Sequence, residues 1–205
     1  MTPVYAEGLR RVPTQQRSQR RVEAILAATE SLLADHGPEE LTVREIADEA
    51  DVPIGTIYQF FEDKDALFQA LARLYIDAMP TVIDEAFERT AATWSAAVDR
   101  IVDAYAQMIR ERPALRSLWL SGSLSEATRR LEAESDLSIS RRIAVALTAY
   151  GSRKGSAAQW SSLVALIDGL LHLAFRDDPA GDPEILRETR RAARAYAAKV
   201  IEPVG

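Results

Sequence analysis

The side chains best placed for recognition chemistry lie close together between Leu41 and Lys64, in the stretch L-T-V-R-E-I-A-D-E-A-D-V-P-I-G-T-I-Y-Q-F-F-E-D-K. Gly55, Thr56, Tyr58 and Gln59 supply a small residue, two hydroxyls and a carboxamide, with Arg44 and Lys64 as flanking cations. Hydroxyls and cations hold phosphates, and a carboxamide on a helix can address a base edge in a major groove. Bond-making chemistry has far less to work with. The histidines, His36 and His172, are distant in sequence, and neither has Glu three residues earlier, as a di-iron carboxylate bundle requires. The sequence has no Gly-rich phosphate loop, no G-x-S-x-G elbow and no cysteine. No catalytic residues, no metal and no cofactor are therefore expected, and the chain does not read as an enzyme.

The elements that must position these groups are two short helices. Thr42 and Glu45 have the spacing of a capping box, which starts a helix at Val43. Val43, Ile46, Ala47 and Ala50 share one apolar face of it, leaving Arg44, Asp48 and Glu49 outside. Asp51-Val52-Pro53 ends the helix, because Pro53 pushes Val52 out of helical geometry while itself suiting the first turn of a new helix. A second helix is predicted from Pro53 to Phe60, with Ile57 and Phe61 inward and Gly55, Thr56 and Gln59 outward. The pair makes a helix-turn-helix.

In these residues the chain resembles the TetR family of bacterial transcription regulators, whose signature is roughly T-x-x-x-I-A-x-x-A-G-V-S-x-G-T-[LI]-Y-x-[HY]-F-x-[SDN]-K. Thr42, Ile46, Ala47, Ala50, Val52, Gly55, Thr56, Ile57, Tyr58, Phe61 and Lys64 are in register with it. Asp51, Pro53 and Phe60 depart from it, replacing the usual glycine, serine and histidine or tyrosine. Phe60 removes one polar contact to phosphate, and Asp51 must take a left-handed turn conformation that Asp tolerates better than most residues. The resemblance implies a ligand-responsive repressor that binds palindromic double-stranded operator DNA as a homodimer. DNA-binding residues would be Thr42, Arg44, Thr56, Tyr58 and Lys64 on phosphates, with Ile54, Gly55 and Gln59 nearest the bases. A helical interaction module without DNA binding is the alternative, supported by Phe60 and an acidic surface; a helical-bundle metalloenzyme lacks its ligand pairs.

The net charge of −6 over 205 residues opposes binding to a polyanion. Its distribution does not: residues 1–21 carry Arg10, Arg11, Arg17, Arg20 and Arg21 against Glu7 alone. Residues 1–16 read as a basic, flexible arm, residues 17–64 as the helix-turn-helix domain and residues 65–205 as a helical ligand-binding and dimerisation domain. Asp168 and His172 break the best apolar run before it reaches the roughly 18 residues of a membrane span, and the N-terminus has no apolar signal core, so a cytoplasmic protein without membrane contact is expected.

Helical periodicity continues along the whole chain, which predicts an all-α fold of about nine helices. The first spans about Gln15 to His36, with His36 closing its last turn. Asp63 caps a long fourth helix that begins at Lys64 and continues through Pro80. Later helices cover about Ser95 to Glu111, Pro113 to Leu120, Ser125 to Ala149, Ala157 to Arg176 and Pro183 to Glu202, with breaks at Gly122 and Gly151–Gly155. Tyr75, Met79, Trp94, Tyr105, Met108 and Trp119, together with Asp168 and His172, could line an apolar cavity for an unidentified small apolar or amphipathic effector. Plain core packing is the other reading of those aromatics. In the last two helices the resemblance implies a dimer interface of Trp160, Leu163, Ile167, Leu170, Leu171, Thr189, Ala193 and Tyr196, where an ordinary intramolecular core would use the same residues.

Overall fold

The computed structural model describes residues 9–11, 13, 15–88, 91–121, 126–148, 150 and 155–201. The expected arm as far as Gly8, the Gly122 break, most of the Gly151–Gly155 break and Glu202 lie outside the described residues. Among the described residues the chain is helical, without strands: α1 (Gln16–Asp35), α2 (Val43–Glu49), α3 (Ile54–Phe60), α4 (Lys64–Glu88), α5 (Trp94–Glu111), α6 (Pro113–Leu120), α7 (Glu126–Thr148), α8 (Ala157–Phe175) and α9 (Pro183–Val200). Pro80 lies inside α4, where it withholds one backbone hydrogen bond without ending the helix.

Two compact units result, and their division differs from one drawn at Lys64. The first takes the chain through Asp77 together with Arg112–Leu131; the second comprises Ala78–Glu111 and Glu132–Gly205. In the first unit α1 turns Val22, Ile25, Leu26 and Leu33 inward. Thr29 interrupts that buried stripe but donates its hydroxyl to the Ile25 carbonyl at 2.8 Å, so no polar atom is stranded. Ile46, Ile57, Phe60 and Phe61 close the core from the helix-turn-helix side. Leu67, Leu71 and Tyr75 of α4, with Ala114 and Leu118 of α6, close it from the other.

In the second unit α5, α8 and α9 pack through long apolar faces, including Val98, Ile101, Leu163, Ile167 and Ala193. Ion pairs at the margin join α5 to α9: Arg190 to Asp103 at 2.6 Å, and Arg194 to Asp99 at 3.5 Å. Two glycines hold the ends of α8. At Gly155 a Cβ would stand 2.2 Å from the Val200 side chain, so only glycine fits there. Gly181 turns the chain towards α9 at φ +83°, a left-handed conformation natural to glycine. By length and composition alone α8 is long and apolar enough to cross a membrane, despite Asp168 and His172. Trp160, Leu163, Ile167 and Leu171 are nonetheless buried within the protein's own core.

Candidate nucleic-acid interface

The predicted capping box is present. The Glu45 backbone N–H donates to Thr42 Oγ1 at 3.3 Å, and the Thr42 N–H donates to Glu45 Oε2 at 2.8 Å. The Thr42 hydroxyl, followed by its backbone amide, holds the Glu45 carboxyl below the usual carboxylate range. Asp51 takes the left-handed conformation at φ 51°, as the missing glycine requires. Behind it the Val52 N–H reaches the Ala47 carbonyl at 3.0 Å, which fixes the turn between α2 and α3.

Ile57 and Phe60 on α3, with Phe61 just beyond it, lie in the core at 5% exposure or less. The opposite face is open: Ile54 and Tyr58 are 44% and 45% exposed, and Gly55 and Gln59 are exposed beside them. On α2, Arg44 is exposed as expected. Two expected contacts are placed elsewhere. Thr56 is buried at 9% exposure, because α3 turns the 56, 57 and 60 positions inward together. Lys64 is turned back into its own unit, where its ammonium donates to the Pro38 and Leu41 carbonyls, both at 2.9 Å, and lies 5.7 Å from the centre of the Phe68 ring. These bonds staple the α1–α2 connection.

The arm reading also changes where the chain is described. Leu9 packs against the core of the first unit, Pro13 is buried, and the Arg10 N–H donates to the Phe60 carbonyl at 2.8 Å. This connection carried no periodic signal in the sequence. Its only trace was one apolar residue, Leu9, ahead of two arginines.

Comparison with known proteins bears on this arrangement directly. Residues 25–71 match the profile of bacterial regulatory proteins of the tetR family, and residues 92–200 match a tetracyclin repressor-like C-terminal domain. The chain belongs to the TetR family. A TetR-family transcriptional regulator from Streptomyces coelicolor is 30% identical over 91% of this chain and all of its own, with a TM-score of 0.69. The HTH-type transcriptional repressor KstR2 of Mycolicibacterium smegmatis is 30% identical over 104 residues, or 47% of this chain and 50% of its own. An uncharacterized HTH-type transcriptional regulator of Haemophilus influenzae is 34% identical over 68 residues, or 33% and 36%. The chain thus spans between about a third and a half of the length of these two curated relatives. The TetR family and these relatives are transcription regulators and not enzymes.

The residues suggested for an effector cavity of this TetR-family chain divide between its units. Tyr75 and Trp119 belong to the first, and Met79, Trp94, Tyr105, Met108, Asp168 and His172 to the second. Tyr75 is committed to its core: its hydroxyl donates to Glu30 at 2.7 Å, and the Arg112 guanidinium lies 5.8 Å from the ring centre. Burial, reinforced by Glu30, raises its pKa well above the ordinary tyrosine value. In the second unit Tyr105 donates to Asp168 at 2.9 Å. Burial pushes the Asp168 carboxyl up, and the Tyr105 hydroxyl and His172 pull against that rise. Asp136 of α7, exposed at the surface and beyond the reach of sequence spacing to connect to this group, is also pushed up, to about 6, first by desolvation from the protein packed around it and then by the Asp168 charge. Met79 and Met108 are buried, and Trp94 is half-buried. A groove of about 430 Å³ between α7 and α8, lined by Leu137, Val145, Gly155 and Trp160 among others, includes none of the eight.

The residues suggested for a dimer interface lie mostly in the intramolecular core. Trp160, Leu163, Ile167, Leu171, Thr189 and Ala193 are buried within one chain, at 3% exposure or less, while Leu170 and Tyr196 are half-buried. The exposed row on α8 consists of Ala158, Ser162, Ala165, Gly169 and Leu173.

Proposed function

We propose that this protein is a sequence-specific DNA-binding transcription regulator, acting as a cytoplasmic homodimer that represses from a pseudo-palindromic operator and responds to a small apolar or amphipathic effector. The observation that carries the DNA-binding reading is the outer face of α3. Ile54, Gly55, Tyr58 and Gln59 are exposed on a helix whose other side is locked into a core. A helix presented in this way fits a major groove, with Gln59, Gly55 and Ile54 towards base edges and Tyr58 and Arg44 towards phosphates. Dimerisation is supported by the small-residue row Ala158, Ser162, Ala165 and Gly169 on α8, which permits close approach of a second helix. Two-fold symmetry in the protein would call for two half-sites spaced by one DNA turn or a multiple of it. The Tyr105, Asp168 and His172 group is the polar anchor in the second unit that an effector would meet.

The test is selection of duplexes from a random pool by the full-length protein, followed by binding of the selected duplex and a scrambled one over a range of salt. Enrichment of an inverted repeat, with the scrambled duplex bound far more weakly at the same salt, is expected. Equal binding to both, disappearing together as salt rises, would remove the regulator reading.

A further inference from the structure

The chain just before α1 is fastened at three points. Leu9 lies against the core of the first unit, the Arg10 N–H caps the last carbonyl of α3 at Phe60, and Pro13 is buried, with its carbonyl accepting from Gln19 Nε2 at 3.4 Å. Between these anchors Arg10 and Arg11 point their exposed residues outward. Neither meets a carboxylate within ion-pair distance among the described residues. Arg17, Arg20 and Arg21 extend the same charge along the start of α1, where with Ala24 they line a shallow groove against Val52 of the helix-turn-helix turn. Five arginines thus lie in the segment leading into and opening α1, Arg10 at the C-terminal end of α3 and Arg17, Arg20 and Arg21 by Val52 of the turn before it, in a chain whose net charge is −6.

We propose that Arg10 and Arg11 form a fixed clamp on the sugar-phosphate backbone of duplex DNA flanking the base pairs read by α3. This rests on the DNA-binding reading above. The partner follows from charge and placement: two exposed arginines, without a carboxylate partner among the described residues, beside the end of a groove-reading helix meet backbone phosphates once that helix is seated. Because the hydrogen bond to Phe60, the packing of the partly buried Leu9 and the burial of Pro13 already order the backbone here, binding does not pay the ordering entropy that a free arm would. The clamp extends the footprint and carries little sequence information.

The experiment uses the duplex selected by the wild-type protein, in full length and trimmed to its inverted repeat, with anisotropy read at several salt concentrations. Removing two phosphate contacts from each protomer of the dimer lowers the slope of log K against log salt by about 3.6, which makes wild-type affinity fall about 150-fold more than that of Arg10→Ala/Arg11→Ala between about 50 and 200 mM salt. This difference is expected on the full duplex and should vanish on the trimmed one. The Arg10→Lys/Arg11→Lys variant should restore most of it, because phosphate contact needs charge above all, whereas a purely structural role would not be rescued in a flank-dependent way. Equal behaviour of wild type and the alanine pair on the full duplex, or an equal deficit on both duplexes, would overturn the clamp while leaving α3 recognition intact. Failure of the wild-type protein to select any duplex would instead overturn the regulator reading and the clamp with it.

Discussion

Replacing Gly55 with alanine adds one methyl group, and its effects on the free protein and on the DNA complex should have opposite signs. Gly55 lies in the first turn of α3, its backbone is not left-handed, and an added Cβ meets no heavy atom within 4 Å. The free protein therefore gains helix propensity and loses unfolded-chain entropy without a clash, worth about 0.5–1 kcal/mol. In a chain of this size that corresponds to a rise in Tm of roughly 1–4 °C. On DNA the same open space is where base edges would approach, so the methyl holds the helix away and weakens neighbouring contacts worth about 1–3 kcal/mol each, a loss of roughly tenfold or more. Thermal melting followed by circular dichroism gives the first quantity, and anisotropy titration of the selected duplex gives the second. A lower Tm would mean that the space around Gly55 is not open. Unchanged affinity would mean that α3 does not present this face to DNA.

Three further outcomes follow from the same geometry. Gln59→Ala should leave folding stability within about 0.5 kcal/mol of wild type, since the side chain is exposed, while relaxing base preference at one position per half-site by about 1–3 kcal/mol; this is read by binding to a panel of single-base variants. Lys64→Ala removes two hydrogen bonds from a charged donor to the Pro38 and Leu41 carbonyls, so it should cost about 1–3 kcal/mol in urea unfolding, and a lower salt slope at unchanged stability would restore the phosphate role. The Asp136 carboxyl, raised from 3.8 to about 6, holds its proton more tightly folded than unfolded, so its folded-state advantage is complete below about 3.8 and lost as pH rises through about 6. Across that window the Tm of wild type should fall relative to Asp136→Asn, and parallel Tm curves for the two proteins would contradict the raised value.

Much of this arrangement was legible because its causes are local. Thr42 and Glu45 are three residues apart, Asp63 Oδ1 accepts from the Ala66 N–H at 2.8 Å as a cap should, and Asp51 stands where the turn needs a left-handed residue. The errors come where local pattern ends. The spacing puts Phe61 inward, and it is fully buried, although α3 stops at Phe60 and Phe61 enters the core from an extended C-cap at φ −120°. Extrapolating the helical period one residue too far put Thr56 on the wrong face. In α8 and α9 the period identified the apolar residues correctly, yet it cannot say whether Leu163 or Ala193 meets its own chain or another. Long-range pairs such as Tyr75 with Glu30, or the charge of Asp136 near Asp168, leave no trace in spacing because tertiary packing alone brings them together.

The first unit is assembled from two separated stretches of chain, and this sets terms for anyone who would exchange its DNA specificity. A recombinant joined once, at Lys64, would carry α1–α3 away from Leu67, Leu71 and Tyr75, and from Ala114 and Leu118, which complete the same core. It would also separate the Arg112 guanidinium from the ring of Tyr75 if the junction were moved only to the end of α4. A transplant that keeps its packing needs two junctions, one near Asp77 and a second segment bounded by Arg112 and Leu131. Any exchange of specificity meets the same restriction: substitutions confined to the outer face of α3 leave this core intact, whereas a single cut behind it divides the core.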